Sequence, residues 1–411
     1  MMDQKTIDII KATVPVLEEK GNEITEAFYE HMFSEHPELY NVFNQTHQKE
    51  GKQPRALAKL VYQAAAHIDR LEEVLSAVKV VAHKHRSIGI RPDQYPIVGE
   101  NLLWAIKHVL GDQATDDIMK AWEIAYGEIA NVFIQLENQL REEVKENNGW
   151  DDYMPFIVDK KVQESDVITS FYLKPANGGA LPEYLPGQYL SLKLEIPGET
   201  YTHIRQYSLS DAPGKDYFRI SVKREDKNAM YPEGVVSHFL HDTIKEGDQI
   251  LVSAPAGDFT LDTSSNKPLV FISGGVGQTP LMSMLKTVIE KQPERPITWI
   301  HAAKNGKVHA LNQDVKKAAE KHENLKTFIC YNDPTSKDLE MNEFAKVGHM
   351  DEMWLSEVID NRNAVYYFCG PKSFMAAIYK ILKHWGINDE DIHYEFFGPQ
   401  DEMLEEEAVT V

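Results

Sequence analysis

The spacing of apolar residues divides the chain into three stretches. From residue 1 to about 147, apolar side chains recur at every third or fourth position and glycine is scarce, which predicts an all-α domain. Pro37, Pro54, Pro92 and Pro96 fall where helices are expected to begin or end. The charged run EEVKENNGWDD closes this stretch with Asn-Asn-Gly, which is typical of a helix end followed by a linker.

The rest of the chain follows two other patterns. Residues 148–264 contain short alternating segments such as FYLKP, YLSLKLEI and FRISVKRE, which predict an antiparallel β-barrel or sandwich with one helix near GVVSHFLHDTI. In residues 265–411, PLVFISGG precedes a helix from 280, ITWIHAA precedes one near 312–321, and AVYYFCGP precedes one from 373. This alternation predicts an α/β domain with a parallel sheet, followed by a solvated acidic tail.

Composition narrows the classes of partner and compartment. Lys and Arg number 43 against 64 Asp and Glu, and the net charge of −21 disfavours nucleic acid or an anionic membrane as a partner of the whole chain. The two cysteines, Cys330 and Cys369, suit a reducing compartment. No apolar run approaches the roughly 20 residues needed to span a bilayer, and the amino terminus lacks the apolar core of a signal peptide. We therefore expect a cytoplasmic protein. We also expect a monomer, although none of these features bears on the oligomeric state.

Two histidines in VVAHKHRSIG, residues 80–89, differ in the helix face they occupy. Residues two apart on a helix point to nearly opposite sides. One apolar stripe comprises Val78, Val81, Ala82 and His85. The opposite face carries Lys79, His83 and Arg86. His83 is therefore predicted to be a solvated surface residue, whereas His85 points inward and needs a partner.

A carboxylate occupies a second apolar stripe. Glu137 stands among Phe133, Leu136 and Leu140, and a buried charge is costly unless it is paired. Tyr95 follows the turn GIRPDQ, which can return its hydroxyl towards His85. A histidine held by a carboxylate and a phenol is typical of a metal ligand. A purely structural polar cluster is the other interpretation.

Several longer motifs in the helical domain resemble those of a known protein family. The segments FYEHMF, NQTHQKEGKQPRALA, AHKHRSIGIRPDQYPIVGENLL and AWEIAYGEIANVFI resemble the globin domain of flavohemoglobins, the bacterial and yeast nitric oxide dioxygenases. The similarity extends from residue 1 to about 399 and includes the order of the three domains. The resemblance implies that His85 is the proximal ligand of heme b and that Tyr95 and Glu137 hydrogen-bond to it and increase its electron donation to iron.

The resemblance also implies the residues on the other side of the heme. Tyr29 matches the family's distal tyrosine, Gln53 and Leu57 match its other distal residues, and Phe43 is expected to pack on the porphyrin. Without the family, Tyr29 would be interpreted as an ordinary core aromatic. Pro54 is predicted to start a helix and to push Gln53 out of helical geometry.

The barrel segment RQYS is a weak signal alone, but it resembles the FAD-binding motif of ferredoxin–NADP reductase-like proteins. The resemblance assigns Arg205 to the pyrophosphate, Tyr207 to the isoalloxazine and Ser208 to its reactive edge, with Gln206 between them. Further FAD contacts are expected from three residues outside this motif: Tyr189 in PGQYLS, and Gly234 and Ser237 at a helix start suited to phosphate.

The strongest local signal of the reductase half is FISGGVGQTPLMSML, a buried strand, a Gly-rich turn and a helix. It is not the G-x-G-x-x-G fingerprint, and the resemblance assigns it to NAD(P)H. The matching residues are Gly275, Val276, Gly277, Gln278, Thr279 and Pro280. Near the nicotinamide and flavin the resemblance places Cys369, Gly370, Phe396, Phe397, Gly398 and Pro399, with Phe397 as the flavin shield and Phe396 where relatives usually carry cysteine. Lys304 leaves the choice between NADH and NADPH open.

The resemblance implies an NAD(P)H-dependent nitric oxide dioxygenase. Hydride passes from NAD(P)H to FAD, single electrons pass to heme iron, and heme-bound O2 reacts with NO to give nitrate. Two alternatives remain from the sequence. One is an NAD(P)H oxidase or flavin/ferric reductase with the globin as an electron outlet, and the other is a heme gas sensor or carrier.

Overall fold

The computed structural model describes residues 2–43, 52–227 and 232–397. Two compact units are present in the chain. The first contains the amino-terminal helices through Met154 together with Ser191–Arg205 and Val252–Asp258. The second contains Pro155–Leu190, Gln206–Leu251 and the chain from Phe259 onward. The boundaries predicted at 147 and 264 stay predictions.

The amino-terminal stretch is helical, as predicted. Its helices are α1 (Gln4–Glu35), α2 (Lys52–Ala66), α3 (Leu75–Ile88), α4 (Tyr95–Leu110) and α5 (Asp116–Glu146). Short 3-10 turns at Pro37–Asn41, Leu71–Val74, Pro92–Gln94 and Gly111–Gln113 separate them. The Asp3 carboxylate begins α1 by accepting the Thr6 backbone N–H at 2.7 Å, which satisfies one of the free amides of the first turn. A contiguous apolar core that includes Phe28, Met32 and Ala105 holds the bundle together.

The prediction for Pro54 was wrong. Pro54 lies within the first turn of α2 as the structure describes it, and Gln53 has helical geometry beside it. Proline is tolerated there because the first amides of a helix have no partner within the helix. The Pro54 carbonyl accepts the buried Thr25 hydroxyl at 2.9 Å, which ties the start of α2 to α1.

The middle stretch forms a six-stranded sheet with order β4-β3-β6-β1-β2-β5, and we call this sheet with its connecting loops the barrel. The strands are β1 (Tyr153–Gln163), β2 (Ile168–Pro175), β3 (Tyr189–Leu194), β4 (His203–Ser208), β5 (Phe218–Lys223) and β6 (Gln249–Ser253). β2 pairs antiparallel with both β1 and β5, which confirms the predicted class. The interrupting helix is short, with α6 at Val235–His238 continued by a π turn at Phe239–Thr243.

The last stretch is a parallel sheet with helices between its strands. Its strands are β7 (Leu269–Gly274), β8 (Ile297–Ala303), β9 (Leu325–Tyr331), β10 (Lys346–Val347), β11 (Val365–Cys369) and β12 (Ile392–Glu395). Its helices are α7 (Gln278–Lys291), α8 (Asn312–Ala319), α9 (Ser336–Met341), α10 (Glu352–Val358) and α11 (Lys372–His384). The predicted helices near 280, 312 and 373 therefore begin within two residues of the expected positions.

Strand order identifies the ligand-binding edge of this sheet. The strand order is β10-β9-β8-β7-β11-β12. Starting from β7, the chain adds β8, β9 and β10 on one side and then β11 and β12 on the other. Open parallel sheets bind ligands at the carboxyl ends of the strands where this reversal occurs. The reversal lies between β7 and β11, whose carboxyl ends carry Gly274 and Cys369. Among the described residues, no helix is long and apolar enough to cross a membrane.

Candidate functional site

Three side chains from different helices meet in the amino-terminal domain. The Nδ1 atom of His85 on α3 lies 2.8 Å from Oε1 of Glu137 on α5 and 3.2 Å from the hydroxyl of Tyr95, the first residue of α4. The Tyr95 hydroxyl donates to the same Glu137 oxygen at 2.6 Å. The Glu137 side chain has no exposed surface. One oxygen of the buried carboxylate, Oε1, therefore has two partners, whereas Oε2 is buried and has none among the described residues.

This arrangement selects one tautomer of His85. A carboxylate accepts hydrogen bonds, so Nδ1 carries the proton and Nε2 presents its lone pair. Burial, reinforced by the Glu137 charge, raises the pKa of Tyr95, so the phenol stays protonated and donates. Among the residues that the structure describes, Nε2 of His85 has no hydrogen-bond partner. It is an electron-rich nitrogen donor of the kind that heme iron takes as an axial ligand.

An apolar wall adjoins this imidazole, as a porphyrin requires. The Phe133 ring lies 5.8 Å from the His85 ring, centroid to centroid. Phe133 also lines an apolar cavity with Leu60, Ala64, Leu71, Val78, Ile129 and Val132. The donor set and its surroundings therefore fit heme b.

Two of the predicted distal residues, Tyr29 and Phe43, belong to one aromatic cluster. Tyr29 is buried on α1, with its ring centroid 5.8 Å from that of Phe43 and 5.9 Å from that of Phe33. Leu57 on α2 packs against the apolar core that contains Tyr29 and Phe33. Gln53 is half-buried one helical turn before Leu57 and shares its face of α2. The functional roles of these residues stay predictions.

The prediction that His83 is solvated was wrong. His83 is only 8% exposed, and its Nδ1 accepts the Gly257 backbone N–H at 3.3 Å. On the same face of α3, Arg86 donates to the Pro255 carbonyl at 2.5 Å. Burial, together with the charges of Arg86 and Lys79, lowers the pKa of His83 to about 4, so the ring is a neutral acceptor. The polar face of α3 is therefore a packing surface for segment 254–257, and the opposite face carries His85.

Replacing His83 with alanine should preserve the heme spectrum and lower stability. The change removes a buried acceptor, which is worth about 1–3 kcal/mol of unfolding free energy. Denaturant unfolding of the purified protein measures the free energy of unfolding, and the Soret band of the folded protein measures heme binding. Lys79→Ala, on the same face but exposed, is the control and should change neither. Loss of heme from His83→Ala would reverse the assignment of the two histidines.

The predicted FAD residues lie on neighbouring strands of the barrel. Arg205, Gln206 and Tyr207 are half-buried on β4, and Ser208 ends that strand as a buried residue. Tyr189 begins β3, the strand next to β4.

The two predicted FAD residues around α6 are also close together. Gly234 precedes α6. The Ser237 hydroxyl donates to the Gly234 carbonyl at 3.0 Å and accepts the Glu225 backbone N–H at 3.1 Å. In this arrangement Ser237 shapes the turn at the start of α6.

The two predicted nicotinamide segments meet at the reversal of the parallel sheet. A Cβ atom on Gly277 would overlap the Cys369 carbonyl and lie 2.7 Å from the Gly370 nitrogen, so only glycine fits. Gly275 has φ +55°, a conformation that favours glycine. Gln278 is buried, and neither polar atom of its amide has a partner among the described residues. A Gly-rich turn, the start of a helix and an unpaired amide fit a dinucleotide.

The remaining predicted residues continue this loop and the chain's last strand. Val276 follows Gly275 in the turn, and its carbonyl accepts the Thr279 hydroxyl at 3.0 Å, while Pro280 is buried in the first turn of α7. Phe396 packs partly against the apolar core, and Phe397 is 47% exposed. Gly398 and Pro399 lie outside the described residues.

Sequence reasoning did not identify Glu395. This residue ends β12 directly opposite Cys369 in the register of the two strands. Burial, reinforced by the Glu395 charge, raises the pKa of the Cys369 thiol well above its ordinary value. The signal was present, since Glu395 stands inside the motif YEFFGP, between Tyr394 and the terminal aromatics.

Comparison with protein-family models gives one match in each part of the chain. A globin model matches residues 26–133. An oxidoreductase FAD-binding domain model matches residues 155–261, and an oxidoreductase NAD-binding domain model matches residues 271–380. The two reductase models match the part of the chain in which a heme gas sensor would carry its signalling output domain.

Full-length relatives decide the family. The flavohemoprotein of Bacillus subtilis (strain 168) is 55% identical over 401 residues, covering 97% of this chain and 98% of the relative. That of Bacillus thuringiensis subsp. konkukian is 54% identical over 400 residues, covering 97% and 99%. The chain belongs to the flavohemoprotein family. It is accordingly an NAD(P)H-dependent oxidoreductase whose cofactors are heme, FAD and the nicotinamide nucleotide.

Solved structures agree with the flavohemoprotein assignment. A flavohemoglobin from Malassezia yamatoensis, crystallised with bound FAD and heme, matches with a TM-score of 0.82 at 28% identity, covering 96% of this chain and 99% of that one. The FAD/NAD-binding part of a nitric oxide dioxygenase from Vibrio cholerae matches with a TM-score of 0.54 at 38% identity, covering 60% and 99%.

Proposed function

We propose that this flavohemoprotein is a nitric oxide dioxygenase that converts NO and O2 to nitrate at the expense of NAD(P)H. The observation that carries the proposal is the imidazole of His85, held by the buried carboxylate of Glu137 in a chain that also carries a complete reductase. An electron-rich axial ligand favours O2 activation over reversible O2 carriage. The similarity to the Vibrio cholerae dioxygenase reductase supports the same reaction.

When bound, NAD(P)H supplies a hydride, FAD divides its two electrons into single steps, and heme iron activates O2. His85 would hold the iron through Nε2, while Glu137 keeps the proton on Nδ1. Tyr95 would keep Glu137 aligned by donating a hydrogen bond from its hydroxyl to the same oxygen. The Gly277 backbone, packed against Cys369 and Gly370, would hold the nicotinamide nucleotide at the reversal of the parallel sheet.

The cellular setting in this proposal is the cytoplasm. Cys330 and Cys369 are both buried free thiols, which fits a reducing compartment. We expect NO and O2 as small-molecule substrates and a monomeric enzyme.

The reaction has a stoichiometry that tests the proposal. One NO, one O2 and one electron give one nitrate, so the two electrons of NAD(P)H support the oxidation of two NO molecules. In air, addition of NO to the purified protein with NADH should accelerate NADH consumption, and nitrate should form at two per NADH. An NAD(P)H oxidase or a flavin reductase would consume NADH at the same rate with and without NO and would form no nitrate, which would overturn the proposal.

Replacing Tyr29 with phenylalanine should accelerate O2 dissociation from the reduced protein. The change keeps the ring in its aromatic cluster and removes the hydroxyl that would donate to bound O2. A hydrogen bond to a partly charged acceptor is worth about 1.5–3 kcal/mol, so the off-rate should rise about 10- to 100-fold. Stopped-flow O2 displacement measures it. Tyr40→Phe, whose ring stacks on Phe33 at 4.1 Å, is the control. An unchanged off-rate in Tyr29→Phe would remove Tyr29 from the mechanism.

A further inference from the structure

Helix α7 has a face that packs on the barrel and is not explained by nucleotide binding. The Gly-rich loop leads directly into α7, and side chains farther along the helix reach barrel residues. Met284 packs against Gly187. A Cβ added to Gly187 would lie 2.6 Å from the methyl carbon of Met284. Lys286 and Glu290 on the same helix both pair with charged residues of the barrel.

Four charged side chains close a ring across this junction. Lys286 on α7 lies 3.1 Å from Asp211 of the barrel and 2.9 Å from Asp314 on α8. Arg219 on β5 lies 3.0 Å from Asp314 and 3.6 Å from Asp211. We call these four residues the charge ring. Its signs alternate, so each member has an opposite charge on both sides.

The charge ring is shielded from water. The side chains of Arg219 and Asp211 are 3% and 7% exposed to solvent. Those of Lys286 and Asp314 are each less than one third exposed. Burial alone would raise the pKa of Asp314, yet the charges and hydrogen bonds of Lys286 and Arg219 outweigh burial and lower it. The Tyr217 hydroxyl adds a further hydrogen bond to Asp211 at 3.2 Å. Charge pairs of this kind resist screening by salt and have defined geometry.

We propose that the charge ring positions the nicotinamide-binding loop relative to the flavin-binding barrel for hydride transfer. Two of its members belong to the barrel, and the other two belong to the helices that follow β7 and β8. Lys286 lies eight residues after Gln278 on α7. The ion pairs of Lys286 therefore also hold the start of α7, where the dinucleotide would bind. The four side chains are positioning residues, because they act on the loop through α7 and α8.

This role predicts a division between chemistry and binding. The dinucleotide would contact the loop 275–280 and Cys369, none of which belongs to the charge ring, so NADH affinity should be preserved when the ring is broken. Hydride transfer depends on the placement of the donor carbon against the flavin, and a misplacement of about 1 Å can cost about 100-fold in rate. A broken ring should therefore slow flavin reduction without weakening NADH binding.

The experiment uses the holoprotein with Lys286→Met, which removes one charge from a partly exposed position and leaves Arg219 paired to both aspartates. We expect flavin reduction by NADH in an anaerobic stopped-flow to slow about tenfold, with the NADH dissociation constant within about twofold and flavin content unchanged. Lys286→Arg keeps the charge and should restore most of the rate. Amide exchange of α7 in the nucleotide-free protein should accelerate in the methionine variant, which is a readout independent of turnover.

Lys215→Met is the matched control. Lys215 pairs with Glu290 at 2.9 Å across the same junction, but both side chains are at least one third exposed, and such pairs are worth little. It should leave flavin reduction unchanged. The inference is overturned if Lys286→Met reduces flavin at the normal rate, if it weakens NADH binding instead, or if Lys215→Met slows flavin reduction equally. Because the assay ends at the flavin, its failure leaves the proposed reaction with NO untouched.

Discussion

Replacing His85 with alanine should remove heme from the protein while leaving its flavin and NADH-to-acceptor activity intact. The change deletes the imidazole whose Nε2 carries no hydrogen bond among the described residues, and loss of an outer partner of a metal ligand alone costs about 10- to 100-fold in affinity. Heme affinity should therefore fall by more than about 100-fold. The Soret absorbance relative to the flavin band, measured after purification and again after addition of hemin, reports the loss.

Two further measurements distinguish ligation from collapse of the fold. His83→Ala removes the neighbouring imidazole on the opposite face of α3 and should keep its Soret band. Free imidazole added to His85→Ala with hemin should restore a band, because the small molecule replaces the missing donor beside Glu137. A His85→Ala protein that binds heme normally without imidazole would show that another residue holds the iron.

Replacing Gly277 with alanine should abolish efficient reduction of the flavin by NADH. The added methyl group would overlap the backbone carbonyl of Cys369, and backbone atoms cannot rotate away as a flexible side chain does. Either the loop or the segment 369–370 must move by about 1 Å, which predicts a loss of about 100-fold in the rate of flavin reduction. Anaerobic stopped-flow absorbance of the flavin band measures this rate.

A glycine outside this loop is the control for Gly277→Ala. Gly386 follows α11 with φ +72°, and an added Cβ would meet nothing within 4 Å. Asparagine tolerates this conformation, so Gly386→Asn should keep most of the rate. The heme spectra of both variants should match that of the parent protein. Normal flavin reduction by Gly277→Ala would mean that the contact with Cys369 does not shape the nicotinamide site.

The local sequence pattern was enough to predict those parts of the site that need partners or a special backbone conformation. A carboxylate within an apolar stripe must find partners, and the structure joins Glu137 to His85 and Tyr95 over 52 and 42 residues of chain. The alternation of strands and helices after residue 265 likewise predicted the parallel sheet and the position of its Gly-rich loop. In both cases the energetic requirement is visible within a single segment.

The errors arose where distant segments decide the environment. His83 and Arg86 lie on a polar helix face that periodicity alone assigns to solvent, yet segment 254–257 covers them from about 170 residues away. Gln53 remains helical because Pro54 occupies a turn that needs no amide donor. The charge ring was also invisible, since its four members come from separate elements and each alone resembles a surface charge.

We propose that His85 holds a heme which receives electrons from NADH through the flavin of the same chain. The most direct test is the absorbance spectrum of the purified protein without oxygen, before and after addition of NADH. We expect a Soret band and flavin bands at first, then bleaching of the flavin and a shift of the Soret band to the ferrous form, with neither Soret feature in His85→Ala. A protein with no Soret band even after addition of hemin, or a Soret band that NADH does not shift, would contradict it.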